Sequence, residues 1–332
     1  MGGSPEWGAG AAIEALAAAN RDQTRLFPNS SQPHPRRRHR HPMYSADIII
    51  EALLNGLLTG AIYALVALGL TLVYGVLHII NFAHGALLAA AMFAVLFVNQ
   101  IFGLDPYVQI PFLMVVFFGV GYALQRIVIG PASHGRDENI LLVTLGLSIV
   151  IENLLLASFG SDTRSLTTDY SFSVFEVGPY LLSQARVFGA AGALATAALL
   201  WMFLSRSDTG KAIRAVAKEK IGASLQGINV AHVYAVTFGL GCACLAVAAC
   251  LLLPTYYVNP RIGSAYVLVA FTIVVLGGMG SIVGAMLGGL IIGVVESMSG
   301  LFLGESLGQI GIFIIFILTL LLRPTGLFGA KA

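Results

Sequence analysis

AHVYAVTFGLGCACLAVAACLLL, Ala231 to Leu253, runs 23 residues without an Asp, Glu, Lys or Arg. A helix of that length rises about 34 Å at 1.5 Å per residue, enough to cross a hydrocarbon core about 30 Å thick. The opposite kind of sequence stands before it: Arg206, Lys211, Arg214, Lys218 and Lys220 fall within fifteen positions. Lys and Arg concentrate in cytoplasmic loops, so the pair reads as a membrane helix leaving a cytoplasmic connection. Apolar stretches near 48–76, 85–103, 107–126, 140–158, 186–204, 264–279, 283–303 and 306–322 repeat the pattern. Together they predict an all-α fold, a polytopic transmembrane helical bundle of about nine spans, or eight if a segment near 77–103 or 264–290 is re-entrant. Composition agrees, with 57% hydrophobic and 10% charged residues against about 25% charged in soluble domains.

Charge fixes the orientation. The long connection Gly160 to Ala185 has Asp162, Asp169 and Glu176 against Arg164 alone, as expected outside, and one crossing separates it from the basic cluster. Counting outward puts Arg323 and Lys331 inside, residues 126–139 inside, and the start of the first span outside. The six arginines of residues 1–42 conflict with that last placement. Two readings of this Gly-, Ala-, Pro- and Arg-rich tail are open: a disordered basic segment, or a start at Met43 that leaves it untranslated. Its one short apolar stretch, Ala11 to Ala19, contains Glu14 and precedes the basic run, the wrong order for a secretory signal.

Several function classes are set aside by what the chain carries. Residues 43–332 hold 12 Lys and Arg against 13 acids, the wrong balance for nucleic-acid binding. No catalytic signature appears, so no enzymatic activity is expected. The nearest approach to a nucleotide-binding loop is Gly210-Lys211, but Ala212 replaces the Ser/Thr and Ser205 the leading Gly. Cys242, Cys244 and Cys250 share one apolar stretch without CxxC spacing and read as buried helix residues; neither metal nor cofactor is expected.

Within the membrane part, a buried charge is costly, so Glu152, beside Asn153, and Glu296 are candidates for a translocation pathway or for interhelical contacts. The stretch His78 to Gly85 separates two apolar spans and reads as an interfacial turn with Asn81 capping the next helix. Gly56 and Gly60, then Gly280, Gly284, Gly288, Gly289 and Gly293, have the spacing that lets backbones approach closely in lipid. Gly277-Gly278-Met279-Gly280-Ser281 is denser than packing requires and suits a helix break, with Gly277, Gly278 and Gly280 as its residues.

At Asn81-Phe82-Ala83-His84-Gly85 the sequence resembles the Liv-type permease subunits of branched-chain amino acid ABC importers. The resemblance extends through Asn55-Gly56, Gly60 to Leu65, Leu70 to Gly75, Thr144 to Ile149, Asn259-Pro260, Leu276 to Ile282 and the closing Arg323-Pro324-Thr325-Gly326-Leu327. It covers about residues 48–329, within a permease domain taken as 43–329. It implies a passage formed in part by Asn81, Phe82, His84, Glu152, Asn153 and Glu296.

It also implies that residues 205–229 hold a coupling segment, with Arg214, Ala215, Ala217, Glu219, Ala223 and Gly227 facing an ATPase: a short helix with small residues on its surface and a glycine that stops it. The implied partners are cytoplasmic ATP-binding subunits, a second permease subunit in a heterodimer, a periplasmic solute-binding protein and membrane lipid, in a bacterial inner membrane. Three departures from the common pattern bear on cargo: Ala86 where many members have an acid, Val269 where Lys is frequent, and Glu152 where Gln is usual. Urea, short amides or aromatic acids are therefore alternatives to branched-chain amino acids. An ion-coupled secondary transporter is the competing class, disfavoured by having only two intramembrane acids.

Overall fold

The computed structural model describes residues 46–132, 137–304, 307–323 and 325–328; the basic tail, Met43, Pro324 and Lys331 lie outside them. Among the described residues, seven helices are long and apolar enough to cross a membrane, which makes this a multi-pass membrane protein. They are α1 (Ala46–Leu77), α2 (His84–Phe102), α3 (Ile110–Ala123, continued by a π-helical stretch Leu124–Ile129), α4 (Asp137–Phe159), α5 (Gln184–Arg206), α8 (Val230–Leu252) and α10 (Ile282–Leu303). Two of the expected spans form shorter apolar helices, α9 (Ile262–Gly277) and α11 (Gly308–Leu322). The basic connection folds into α6 (Asp208–Lys218) and α7 (Lys220–Leu225).

The expectation of an all-α chain needs one correction. Residues 160–183 contain an antiparallel hairpin, β1 (Val174–Val177) with β2 (Tyr180–Ser183), in which Val174 pairs with Ser183 and Val177 with Tyr180. Its turn uses Gly178 at φ 64° followed by Pro179, a conformation that costs glycine little. Tyr170 anchors the connection: its ring stacks on Tyr107 at 5.0 Å between centroids and its hydroxyl donates to Asp105 Oδ2 at 2.7 Å. Burial pushes that hydroxyl well above its ordinary range, and bonding to the Asp105 carboxylate adds to it.

Helices α1 and α8 form the centre. In their most apolar windows 89% and 94% of residues are buried, against 11% in α4. Both are rich in small residues, and in lipid it is close backbone approach that holds helices together. Antiparallel α1 and α10 meet at Gly56 with Gly293 and at Gly60 with Gly289, where a Cβ on Gly289 would stand 2.5 Å from Ala64 Cα. Gly284 and Gly288 turn the other way, toward Gly277 and Ile273 of α9, so one glycine ladder serves two neighbours. Gly69 meets Gly241 between α1 and α8, and Gly121 lies against Gly239 and Cys242 between α3 and α8. All three cysteines are buried.

Two helices start within the bundle. His84, the first residue of α2, bonds through Nε2 to the Val66 carbonyl at 2.9 Å, eleven residues before α1 ends, or about 16 Å along its axis. The chain after Leu77 therefore doubles back beside α1 as irregular backbone, with His78 at φ 55° and Ile79, Asn81 and Ala83 buried. Helix α9 begins where Gly263 packs on Gly85 and the Tyr266 ring meets Tyr63 edge-on at 6.1 Å. Non-helical backbone at such depth is tolerated where protein or a water-filled cavity lines it; here Ile79, Asn81 and Ala83 are enclosed while His78 and Phe82 remain exposed.

Candidate functional site

One face of α1 repeats polar residues every turn: Glu51, Asn55, Thr59 and Tyr63. With Glu296 and Ser297 of α10, Ala265, Tyr266 and Val269 of α9, Arg186 from the first turn of α5, and Thr255 to Tyr257 after α8, it lines a cavity of about 910 Å³. That size suits a small solute. Ser297 Oγ donates to the Ala52 carbonyl at 2.7 Å, tying α10 to α1 beside the cavity. Within it, Tyr63, Tyr256 and Glu296 lie together, with Thr59 beside them.

The cavity and the basic segment occupy opposite ends of the bundle. Helix α5 runs from Arg186 at the cavity to Arg206 beside α6, and α8 runs back from Val230 to the loop holding Tyr256. Cavity and segment are thus separated by the length of two spanning helices.

Of the six expected pathway residues, only Glu296 lines the cavity. Asn81 is buried and its Oδ1 accepts from the Ala83 amide at 3.0 Å; it braces the turn into α2, while the capping position itself is Ala83. Phe82 is partly exposed, donates its amide to Thr144 Oγ1 at 3.3 Å and stacks on Phe271. His84 is buried against α1. Glu152 accepts from Ser264 Oγ at 3.4 Å, a bridge from α4 to α9, and Asn153 is exposed with Nδ2 bonded to its own helix at Ile149. Reading by sequence missed Arg186, Tyr256 and Tyr266. The available signal was an arginine in the first turn of an apolar span, on the side that the acidic connection marks as outer.

The glycine cluster interrupts the helices: α9 ends at Gly277, Gly278 and Gly280 have φ of 97° and 85°, and Ser281 caps α10 by accepting from the Gly284 amide at 3.0 Å. The break lies beside Gly75, near the last turn of α1. Residues after α11 close over it, since the Leu327 and Phe328 amides donate to the Leu276 and Gly277 carbonyls at 2.8 and 3.1 Å, satisfying groups that a helix end leaves free.

In the basic segment, α6 turns Ile213 and Val216 inward and Arg214 and Ala215 outward. Glu219 Oε1 accepts from the Ile221 amide at 3.1 Å and caps α7, and Gly227 follows at φ 81° with open space around it. Ala217, half-buried, belongs to α6; within α7, Ala223 is buried and Ser224 exposed, and the largest exposed side chains are Ile221 and Leu225, at 68% and 80%. They stand four residues apart, hence on one face, and the six-residue helix has room to bury only one such face against the bundle.

Residues 52–321 match the family model described as "Branched-chain amino acid transport system / permease component". The chain is 35% identical to the high-affinity branched-chain amino acid transport system permease protein BraD of Pseudomonas aeruginosa, over 84% of this chain and 95% of that one. It is 33% identical to the permease protein LivH of Salmonella typhimurium over the same shares. The solved structure of PsaBC from Streptococcus pneumoniae in complex with Fab aligns over 94% of this chain and 98% of that one, at 14% identity and a TM-score of 0.43, too remote to decide anything here. With its family match spanning nearly all of the helical bundle, the chain belongs to the branched-chain amino acid transport system permease family.

Proposed function

We propose that this chain is a membrane-spanning permease subunit of an ABC importer that admits branched-chain amino acids to the cytoplasm across a bacterial inner membrane. Its partners in this reading are a second permease, cytoplasmic ATP-binding subunits and a periplasmic solute-binding protein. Membership of the family supports the cargo, because BraD and LivH carry branched-chain amino acid transport in their names.

One observation carries the mechanism. Ile221 and Leu225 are exposed on a segment with five of the twelve basic residues of the membrane part. Such a segment belongs in water on the cytoplasmic side, where an exposed apolar pair marks a protein contact. An ATPase that grips α7 and closes on ATP moves the ends of α5 and α8, which flank the segment and reach the cavity. That gives outward- and inward-open states a shared lever. Nine crossings, with the N-terminal end of α1 outside and Arg323 inside, fit this arrangement.

The test is the double variant Ile221→Asp, Leu225→Asp in the assembled complex. Both side chains are exposed, so the bundle folds and inserts as before, while solute-stimulated ATP hydrolysis falls at least tenfold. Normal stimulation would remove α7 from the coupling.

A further inference from the structure

The cavity holds charges that the fold leaves apart. Arg186 and Glu296 both line it and lie within electrostatic reach of each other, yet among the described residues the only ion pair is Lys211 with Asp208. Arg186 Nε is buried and has no hydrogen-bond partner, and Thr255 Oγ1 beside it is likewise unpaired. A buried donor without a partner is destabilising, the more so when it carries charge. A protein that needed these groups only for stability would close them on one another. Held open across a cavity, they match a solute that brings its own opposite charges.

We infer that this cavity is a binding site of the permease itself, selective for an α-amino-acid zwitterion, with Arg186 taking the carboxylate and Glu296 the ammonium group. The inference rests on the reading of the chain as an amino-acid permease and relocates part of the selectivity from the soluble binding protein to the membrane. A guanidinium presents a planar fork that fits a carboxylate with two parallel hydrogen bonds. Tyr63 lines the cavity with Glu296, and the Tyr266 ring packed edge-on against Tyr63 limits the movement of that ring. Val269, Ala265 and the tyrosine rings give the solute's side chain an apolar wall. Glu51, just over three helical turns before Tyr63, adds a second acid near the start of α1, and Arg186 is the one cation among the described lining residues. A solute missing either charge leaves a buried group unmatched, which is how polar sites reject analogues most sharply.

The full chain, purified in nanodiscs without partners, is titrated calorimetrically with L-leucine, L-leucinamide, which lacks the carboxylate, and 4-methylpentanoate, which lacks the ammonium. L-leucine is expected to bind at least tenfold more tightly than either analogue. Arg186→Gln and Glu296→Gln, the latter keeping volume, each weaken L-leucine at least tenfold, whereas Arg186→Lys, which keeps the charge but not the fork, falls between. Glu152→Gln binds as the parent does. Equal binding of the three probes, parent-like binding by both Gln variants, or no binding of L-leucine overturns the inference. Vesicle uptake by the assembled complex separates the two readings: leucine uptake that persists despite any of those results leaves the transport assignment standing and removes only the site.

Discussion

Glycines that look alike in sequence differ by what a methyl group would meet. At Gly60 a Cβ would fall 2.7 Å from the Gly289 carbonyl oxygen and 2.9 Å from Leu290 Cα, all backbone, so nothing can yield without parting α1 from α10. At Gly119, on exposed α3, it would meet nothing within 4 Å. Gly60→Val is expected to destabilise the protein by about 1–3 kcal/mol, the usual cost of overpacking, and Gly119→Ala to leave it unchanged or up to about 1 kcal/mol more stable, since Gly is the weaker helix former. Thermal unfolding of the two variants in detergent, beside the parent, checks both. Equal melting temperatures would mean that the α1–α10 contact is looser than described. Buried His84 illustrates the same dependence on surroundings: an imidazole that sequence marks for chemistry instead fastens α2 to the Val66 carbonyl.

Among the elements, α7 shows how a short helix is held in place by its caps. Six residues cannot sustain a helix alone, and Glu219 at its start and Gly227 beyond its end supply what the sequence between them lacks. Removing the cap with Glu219→Ala is expected to cost about 1 kcal/mol, and, being local, to leave global unfolding nearly unchanged while lowering solute-stimulated ATP hydrolysis partially. The comparison with the Ile221→Asp, Leu225→Asp variant is informative, because loss of shape should be milder than loss of the contact surface. An effect of Glu219→Ala as large as that of the double variant would mean that the carboxylate itself touches the ATPase. Helices α2 and α9 make a complementary point, since each begins inside the bundle and leaves irregular backbone that neighbours must enclose.

At the scale of the whole molecule, the cavity and the basic segment mark two faces. If nine helices cross, a cysteine in place of Asp47 or Glu176 reacts with an impermeant thiol reagent from outside intact cells and one in place of Ser224 reacts only after the membrane is opened. Cys242, Cys244 and Cys250 are buried and can be replaced by Ala for the assay. Labelling at Asp47→Cys and Ser224→Cys from the same side would sink the nine-crossing arrangement. The close packing of α1 on α10 was legible in the spacing of Gly56 and Gly60 and of Gly289 and Gly293. Which face of the other helices turns inward was not legible. In lipid both faces are apolar, and the periodicity that reveals the buried side of a soluble helix is missing.

Sequence by itself determined the membrane class, the position of the helices and the family, because each follows from local hydropathy or a motif of adjacent residues. Only the tertiary structure decided that Glu296 and Arg186 share a cavity with four tyrosines, while Asn81 braces the turn into α2 and His84 and Glu152 bond to neighbouring helices. It likewise decided that Ile221 and Leu225 of α7 are exposed while Ala223 is buried. Those facts depend on rotations about helix axes and on where α2 and α9 begin, and these are fixed by backbone contacts between residues far apart in the chain, such as Gly60 with Gly289 and Gly85 with Gly263.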